Sequence, residues 1–196
     1  MLRAALALLE APAGPVLDEF PEDAPIHEEG LSGFACPVSF DTLPADLSAM
    51  DLLRAALQRE IRQLHTWYDL GVARRRRTTV GVSGMTPEDL GTFIGDFLDA
   101  GTPANPRPDL PLATLFRFAV EDLKSYYFEA VTAQPGQQTV DSTVLADWFW
   151  RETAAGRVLF AVHDACQCSD VPGIQVVATS FLIPRARTAE SPYATT

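Results

Sequence analysis

Residues 48–77, SAMDLLRAALQREIRQLHTWYDLGVARRRR, decide the fold class. Ser48 with Asp51 three positions on is like a capping box, which opens a helix by satisfying its free N–H groups. Met50, Leu53, Leu57, Ile61, Leu64 and Tyr68 then recur at steps of three and four, so one face of a 3.6-residue period is apolar. Arg74, Arg75, Arg76 and Arg77 close the run where positive charge meets the negative pole of the helix dipole. The pattern predicts a helix over 48–77 with one buried face.

The same period continues toward the C-terminus. Thr78 to Met85 is short, β-branched and glycine-bearing, and reads as a connector. Thr86-Pro87-Glu88-Asp89 is an N-cap followed by proline at the first helical position, and Gly101 ends the apolar stripe Leu90, Phe93, Ile94, Phe97, Leu98. Residues 102–111 hold Pro103, Pro106, Pro108 and Pro111, and form a loop. A third helix is predicted over 109–133, with Leu112, Leu115, Phe116, Ala119, Leu123, Tyr126, Tyr127 and Ala130 inside. A fourth is predicted over 141–168, packing through Leu145, Trp148, Ala155, Leu159, Val162 and Cys166. Residues 172–183 fit a short helix slightly better than a strand. The expectation is an all-α domain over 48–184, an antiparallel bundle of four to five helices, with a polar tail over 185–196.

Toward the N-terminus the chemistry changes. Between Arg3 and Arg54 there is no basic residue, while residues 1–53 hold Glu10, Asp18, Glu19, Glu22, Asp23, Glu28, Glu29, Asp41, Asp46 and Asp51. Most of the formal net charge of −11 therefore sits in the first quarter of the chain. Pro12, Pro15, Pro21, Pro25, Pro37 and Pro44 exclude long helices there. Phe20, Phe34, Val38 and Phe40 are apolar anchors that a free linker does not need. Residues 1–47 thus read as an extended acidic arm, docked on its own domain or on a basic partner. The alanine-leucine run after Arg3 is too short for a secretory signal, and one or two helical turns with Leu2, Leu6 and Leu9 on one side are expected.

Composition closes off several classes. At 196 residues and 47% apolar, the chain is long enough for one packed domain and is not disordered. The acidic balance argues against nucleic acid, which needs a dominant basic face. No apolar run approaches the roughly 18–20 residues of a membrane span. Three cysteines do not make a disulfide scaffold, and a cytoplasmic setting is expected.

Few residues point to chemistry. At about 100° per residue from Trp148 along one continuous helix, Glu152 lands near 40°, inside the apolar arc. A carboxylate there is paired, protonated or ligand-bound, because an unpaired buried charge is very costly. Glu60, Asp122 and Glu152 each lie near mid-helix, as in a bundle carboxylate site, but the Glu-x-x-His pairs of di-metal bundles are missing and no metal is expected. His163, Cys166 and Cys168, with Cys36 as a fourth ligand, make only a weak zinc pattern, and small buried hydrophobes are the plainer reading of these cysteines.

Gly81-Val-Ser-Gly84 lacks the spacing of a nucleophile elbow; it reads as a turn, or as a nest for an anion. The four arginines fan around about 300°, which suits a solvated helix end or an anchor for the acidic arm better than a flat phosphate-reading face. Adjacent aromatics, Trp67-Tyr68, Tyr126-Tyr127 and Trp148-Phe149-Trp150, are mostly core, with some members expected to line a cavity or docking surface.

Two functions compete. In the first, the protein is a non-catalytic accessory or assembly protein, without cofactor, that binds a basic polypeptide through Asp18, Glu19, Glu22, Asp23, Glu28 and Glu29. In the second, it is an enzyme or small-molecule binder whose pocket is built on Glu152 with Glu60, Asp122, Tyr126 and His163. Exposure of Glu152 to solvent would remove the basis of the second.

Overall fold

The computed structural model describes residues 2–19, 21, 49–99, 102–136 and 140–192. Among the described residues all regular structure is helical, with seven α-helices and no strand. The chain divides into two compact units, residues 1–31 and 32–196. In the first, α1 (Leu2–Ala7) continues as a 3-10 turn, Leu8–Glu10. This is the short helical start expected from the leucine spacing. Phe20, Phe34, Val38 and Phe40 lie outside the described residues.

The second unit is an all-α bundle. Its longest helix, α2 (Ala49–Arg75), buries Leu53, Leu57, Ile61 and Leu64 as the periodicity requires. It stops two residues short of the expected end, at Arg76, whose left-handed φ of 54° turns the chain away. Helix α3 (Pro87–Gly95) starts under the Thr86 cap, whose hydroxyl oxygen accepts from Asp89 N–H at 3.2 Å, and tightens into a 3-10 turn over Asp96–Leu98. It runs antiparallel to α2: the Gln58 side chain donates to the Glu88 carbonyl and to Thr92 Oγ1, while Arg54 reaches the Gly95 carbonyl.

Helix α4 (Leu112–Val131) is the central element, touching α2, α3 and α7 (Pro172–Val177). Both Tyr126 and Tyr127 are fully buried in it. On α5 (Ser142–Glu152) three successive aromatics, Trp148, Phe149 and Trp150, are buried as well. In these two groups no member is left at the surface to line a docking face. Tyr127 meets Tyr126 and Phe149 edge-on and Trp148 at a tilt, and Phe149 leads edge-on through Trp150 to Phe160, so all five lie in one aromatic core. Only Trp67 and Tyr68 stay half-buried.

The single helix expected over 141–168 is two helices, α5 and α6 (Ala154–Cys166). Thr153 breaks it with an extended φ/ψ of −91°/153° and caps both sides. Its hydroxyl donates to the Phe149 carbonyl at 2.7 Å and accepts from Gly156 N–H at 3.0 Å. A Cβ on Gly156 would run into the Phe149 carbonyl oxygen and come within 3.0 Å of Trp150 Cα, so only glycine lets the two helices fold this tightly.

Beyond α7 the chain stays helical through a π-turn, Ala178–Leu182. In the described part of the polar tail, the 3-10 turn Arg185–Glu190, Glu190 receives Arg151 at 3.0 Å and Arg187 pairs with Asp147. Among the described residues no helix is long and apolar enough to cross a membrane.

Candidate functional site

Two buried carboxylates stand out in the core, Asp122 at 0% exposure and Glu60 at 2%. Each receives backbone N–H groups at a place where the helical chain breaks.

Asp122 lies on the buried side of α4, facing the connector between α2 and α3. Gly81 and Val82 N–H donate to its Oδ1 at 2.8 and 3.2 Å, and Ser83 N–H to its Oδ2 at 2.9 Å. The Ser83 hydroxyl adds a fourth donor at 2.6 Å. Gly81 holds a φ of 127°, which lets successive N–H groups converge on one point. The glycines suggested an anion held at the start of the following helix; the N–H groups of residues 81–83 instead converge within the connector on a carboxylate of the same protein. Ser83 is fully buried and its hydroxyl is bonded to a carboxylate, so it is no exposed nucleophile. Two turns along α4, Glu129 fixes the start of the same connector, accepting from Thr79 N–H and Oγ1 at 2.7 and 2.8 Å and pairing with Arg75 at 3.3 Å.

Glu60 reaches from α2 to the start of α6. Its Oε1 accepts from Ala154 N–H at 2.7 Å, and its Oε2 accepts from Ala155 N–H at 3.2 Å and from the Tyr127 hydroxyl at 2.9 Å. It thereby caps a helix whose own sequence supplies only the Thr153 hydroxyl. Burial pushes its carboxyl up to about 7, against the opposing pull of these three donors and of the Arg157 charge.

The five residues of the catalytic alternative do not converge. Glu152 is exposed as the last residue of α5, which overturns its expected burial. The 100° phase was carried across Thr153, where the helix no longer exists. Tyr126 is committed elsewhere, donating to the Ile61 carbonyl at 2.6 Å. His163 is half-buried near the far end of α6. Glu60 and Asp122 serve separate chain breaks. The residues that sequence reasoning missed are Tyr127 as the partner of Glu60, Glu129, and Thr153 with Gly156. Of these, Thr153-Ala-Ala-Gly156 carried a legible signal, a capping residue ahead of a small-residue turn.

Among the described residues no group of three or more His, Cys, Asp or Glu is placed to hold a metal ion. Cys36 lies outside them. Cys166 is buried and its thiol is pushed up to about 11 by that burial, whereas Cys168 is exposed. Both line a cleft of about 400 Å³ beside Phe97 and Asp170. Since thiolate is the reactive form, iodoacetamide at pH 8 is expected to modify Cys168 at least tenfold faster than Cys166 in the folded chain. Peptide mass mapping checks this, and equal rates would contradict the burial of Cys166.

The remaining candidates are on the surface. Arg74, Arg75, Arg76 and Arg77 are exposed around the end of α2, and Arg75 also donates to the Glu129 carbonyl at 3.2 Å. Asp18 and Glu19 are exposed. Glu22, Asp23, Glu28 and Glu29 lie outside the described residues. Comparison with protein-family models, with curated proteins and with solved structures finds no match.

Proposed function

We propose that this protein is a non-catalytic accessory protein that binds a basic polypeptide, helped by the acidic leading segment, with the helical bundle as a rigid support. The observation that carries this reading is the charge layout: ten acids against one base through residue 53, ahead of a nearly neutral remainder. The interior supports it indirectly. Every buried acid found in the bundle is consumed in holding the backbone together, and Glu152, on which the enzyme reading rested, is at the surface. A cytoplasmic setting goes with this reading, Cys166 and Cys168 both being free thiols.

The test is capture of bound polypeptides by the full chain, followed by reconstitution with the captured species in pure form. Reversing Asp18, Glu19, Glu22, Asp23, Glu28 and Glu29 to lysine in the full chain is expected to weaken binding at least tenfold. Raising salt from about 50 to 500 mM is expected to weaken the unaltered protein similarly, because screening shortens the reach of exposed charges. Binding indifferent to both changes would overturn the reading.

A further inference from the structure

A cleft of about 540 Å³ opens between α3 and the proline-bearing loop 102–111. Met85 and Phe93 form its floor, Pro106 and Arg107 lie on the loop side, Asp89 on α3 and Asp96 at the start of the 3-10 turn that follows it. Asp96 follows Asp89 by seven positions, about two turns, so the two lie on one side of the cleft about 10.5 Å apart along the axis.

Arg107 does not neutralise them. Its guanidinium donates to the Ser83 carbonyl at 2.8 Å and to both Asp109 oxygens at 3.3 and 2.6 Å. Among the described residues neither Asp89 nor Asp96 forms an ion pair. The walls are pinned before any ligand arrives: the Thr86 hydroxyl donates to Asp89 at 2.8 Å, and Asn105 ties Arg107 N–H to the Leu110 carbonyl. An apolar floor edged by two unmatched negative charges is complementary to apolar residues flanked by cations.

We infer that this cleft is a docking site for a basic segment of the partner polypeptide, with one arginine or lysine on Asp89, another on Asp96, and apolar side chains between them over Met85 and Phe93. The inference rests on the reading of the protein as a binder of basic polypeptide and names a second contact for it, on the bundle itself. An extended chain in polyproline geometry brings residues i and i+3 to the same side about 9.3 Å apart, close to the spacing of the two carboxylates.

The probe is the capped peptide acetyl-Arg-Leu-Pro-Arg-amide, titrated into the full chain with ¹³C-methyl methionine. Of the three methionines, Met1, Met50 and Met85, Met85 is the one that lines the cleft among the described residues. Its methyl signal is expected to move saturably, while acetyl-Glu-Leu-Pro-Glu-amide leaves it in place. Asp96→Lys, an exposed substitution, is expected to weaken the response about tenfold with the thermal transition kept, and Asp89→Asn to weaken it less. A Met85 signal that ignores the basic peptide, or that responds equally in Asp96→Lys, overturns the inference. Because Met85 reports on the cleft alone, its silence would leave the acidic-segment reading standing if the lysine reversals still abolish partner binding. A moving Met85 with harmless reversals would sink that reading and spare the cleft.

Discussion

Asp122→Ala is expected to lower the melting temperature by about 10 °C and to release the connector between α2 and α3. The carboxylate accepts four hydrogen bonds, from Gly81, Val82 and Ser83 N–H and from the Ser83 hydroxyl. Bonds to a charged acceptor each contribute roughly 1.5–3 kcal/mol, and a buried donor left alone costs about 1–3 kcal/mol. The four do not add. Gly81 and Val82 are exposed and regain water once the loop opens, whereas Ser83 is fully buried and does not. A net loss of about 3 kcal/mol results, which for a domain of this size is roughly 6–12 °C.

Amide exchange separates this from a simple cavity effect. Protection should fall at residues 81–83 well before it falls in α4. Ser83→Ala, which removes one of the four donors together with its acceptor role toward Met85 N–H, should cost only about 1 kcal/mol. A change of less than about 2 °C in Asp122→Ala would show that the connector holds its shape without the carboxylate.

The two carboxylates also mark where the sequence was readable. Helix α2 and the stripe of α4 follow from apolar spacing alone, since the hydrophobic face is set locally by a 3.6-residue period. The Thr86-Pro87 start of α3 follows from capping chemistry in the same way. What the sequence did not disclose is which group satisfies a distant backbone. Asp122 lies about forty residues from Gly81, and Glu60 is 94 residues from Ala154. No local pattern encodes such pairings, so Glu60 and Asp122 drew notice as mid-helix acids for the wrong reason.

The misreading of Glu152 has a different origin. Thr153 is a single weak helix former between helices of 11 and 13 residues, and the apolar spacing on its two sides invites a continuous phase. The Thr153 cap marks the break, and Gly156 permits the close approach to the Phe149 carbonyl that the tight fold between the two helices requires. The core aromatics make the same point: three consecutive residues of α5 are buried because neighbours surround it on several sides, which no single-face periodicity anticipates.

Glu60 gives a pH dependence whose sign is fixed by its position. Its carboxyl is raised to about 7 by burial, so the folded chain holds this proton more tightly than the unfolded chain, where an ordinary value of about 4.3 applies. Between about pH 4.5 and 7 the folded state is protonated at Glu60 and the unfolded state is not. The stabilisation from this group is therefore complete below about pH 4.5 and is lost as pH rises through 7, an effect on the order of a few kcal/mol. Glu60→Gln removes the titration and should flatten that part of the profile. Urea unfolding at pH 5 and pH 8 is the measurement, and the stability gap between the parent and Glu60→Gln should shift in favour of Gln by about 2–3 kcal/mol at the higher pH. Glu60→Ala tests the cap itself: Ala154 and Ala155 N–H and the Tyr127 hydroxyl all lose their acceptor in a site closed to water. A loss of about 2–4 kcal/mol at pH 5 is expected there, with the near-ultraviolet signal of Tyr127 and Trp148 reduced. If the gap between parent and Gln stayed constant across this range, the carboxyl would titrate alike in both states, and burial would not govern its proton.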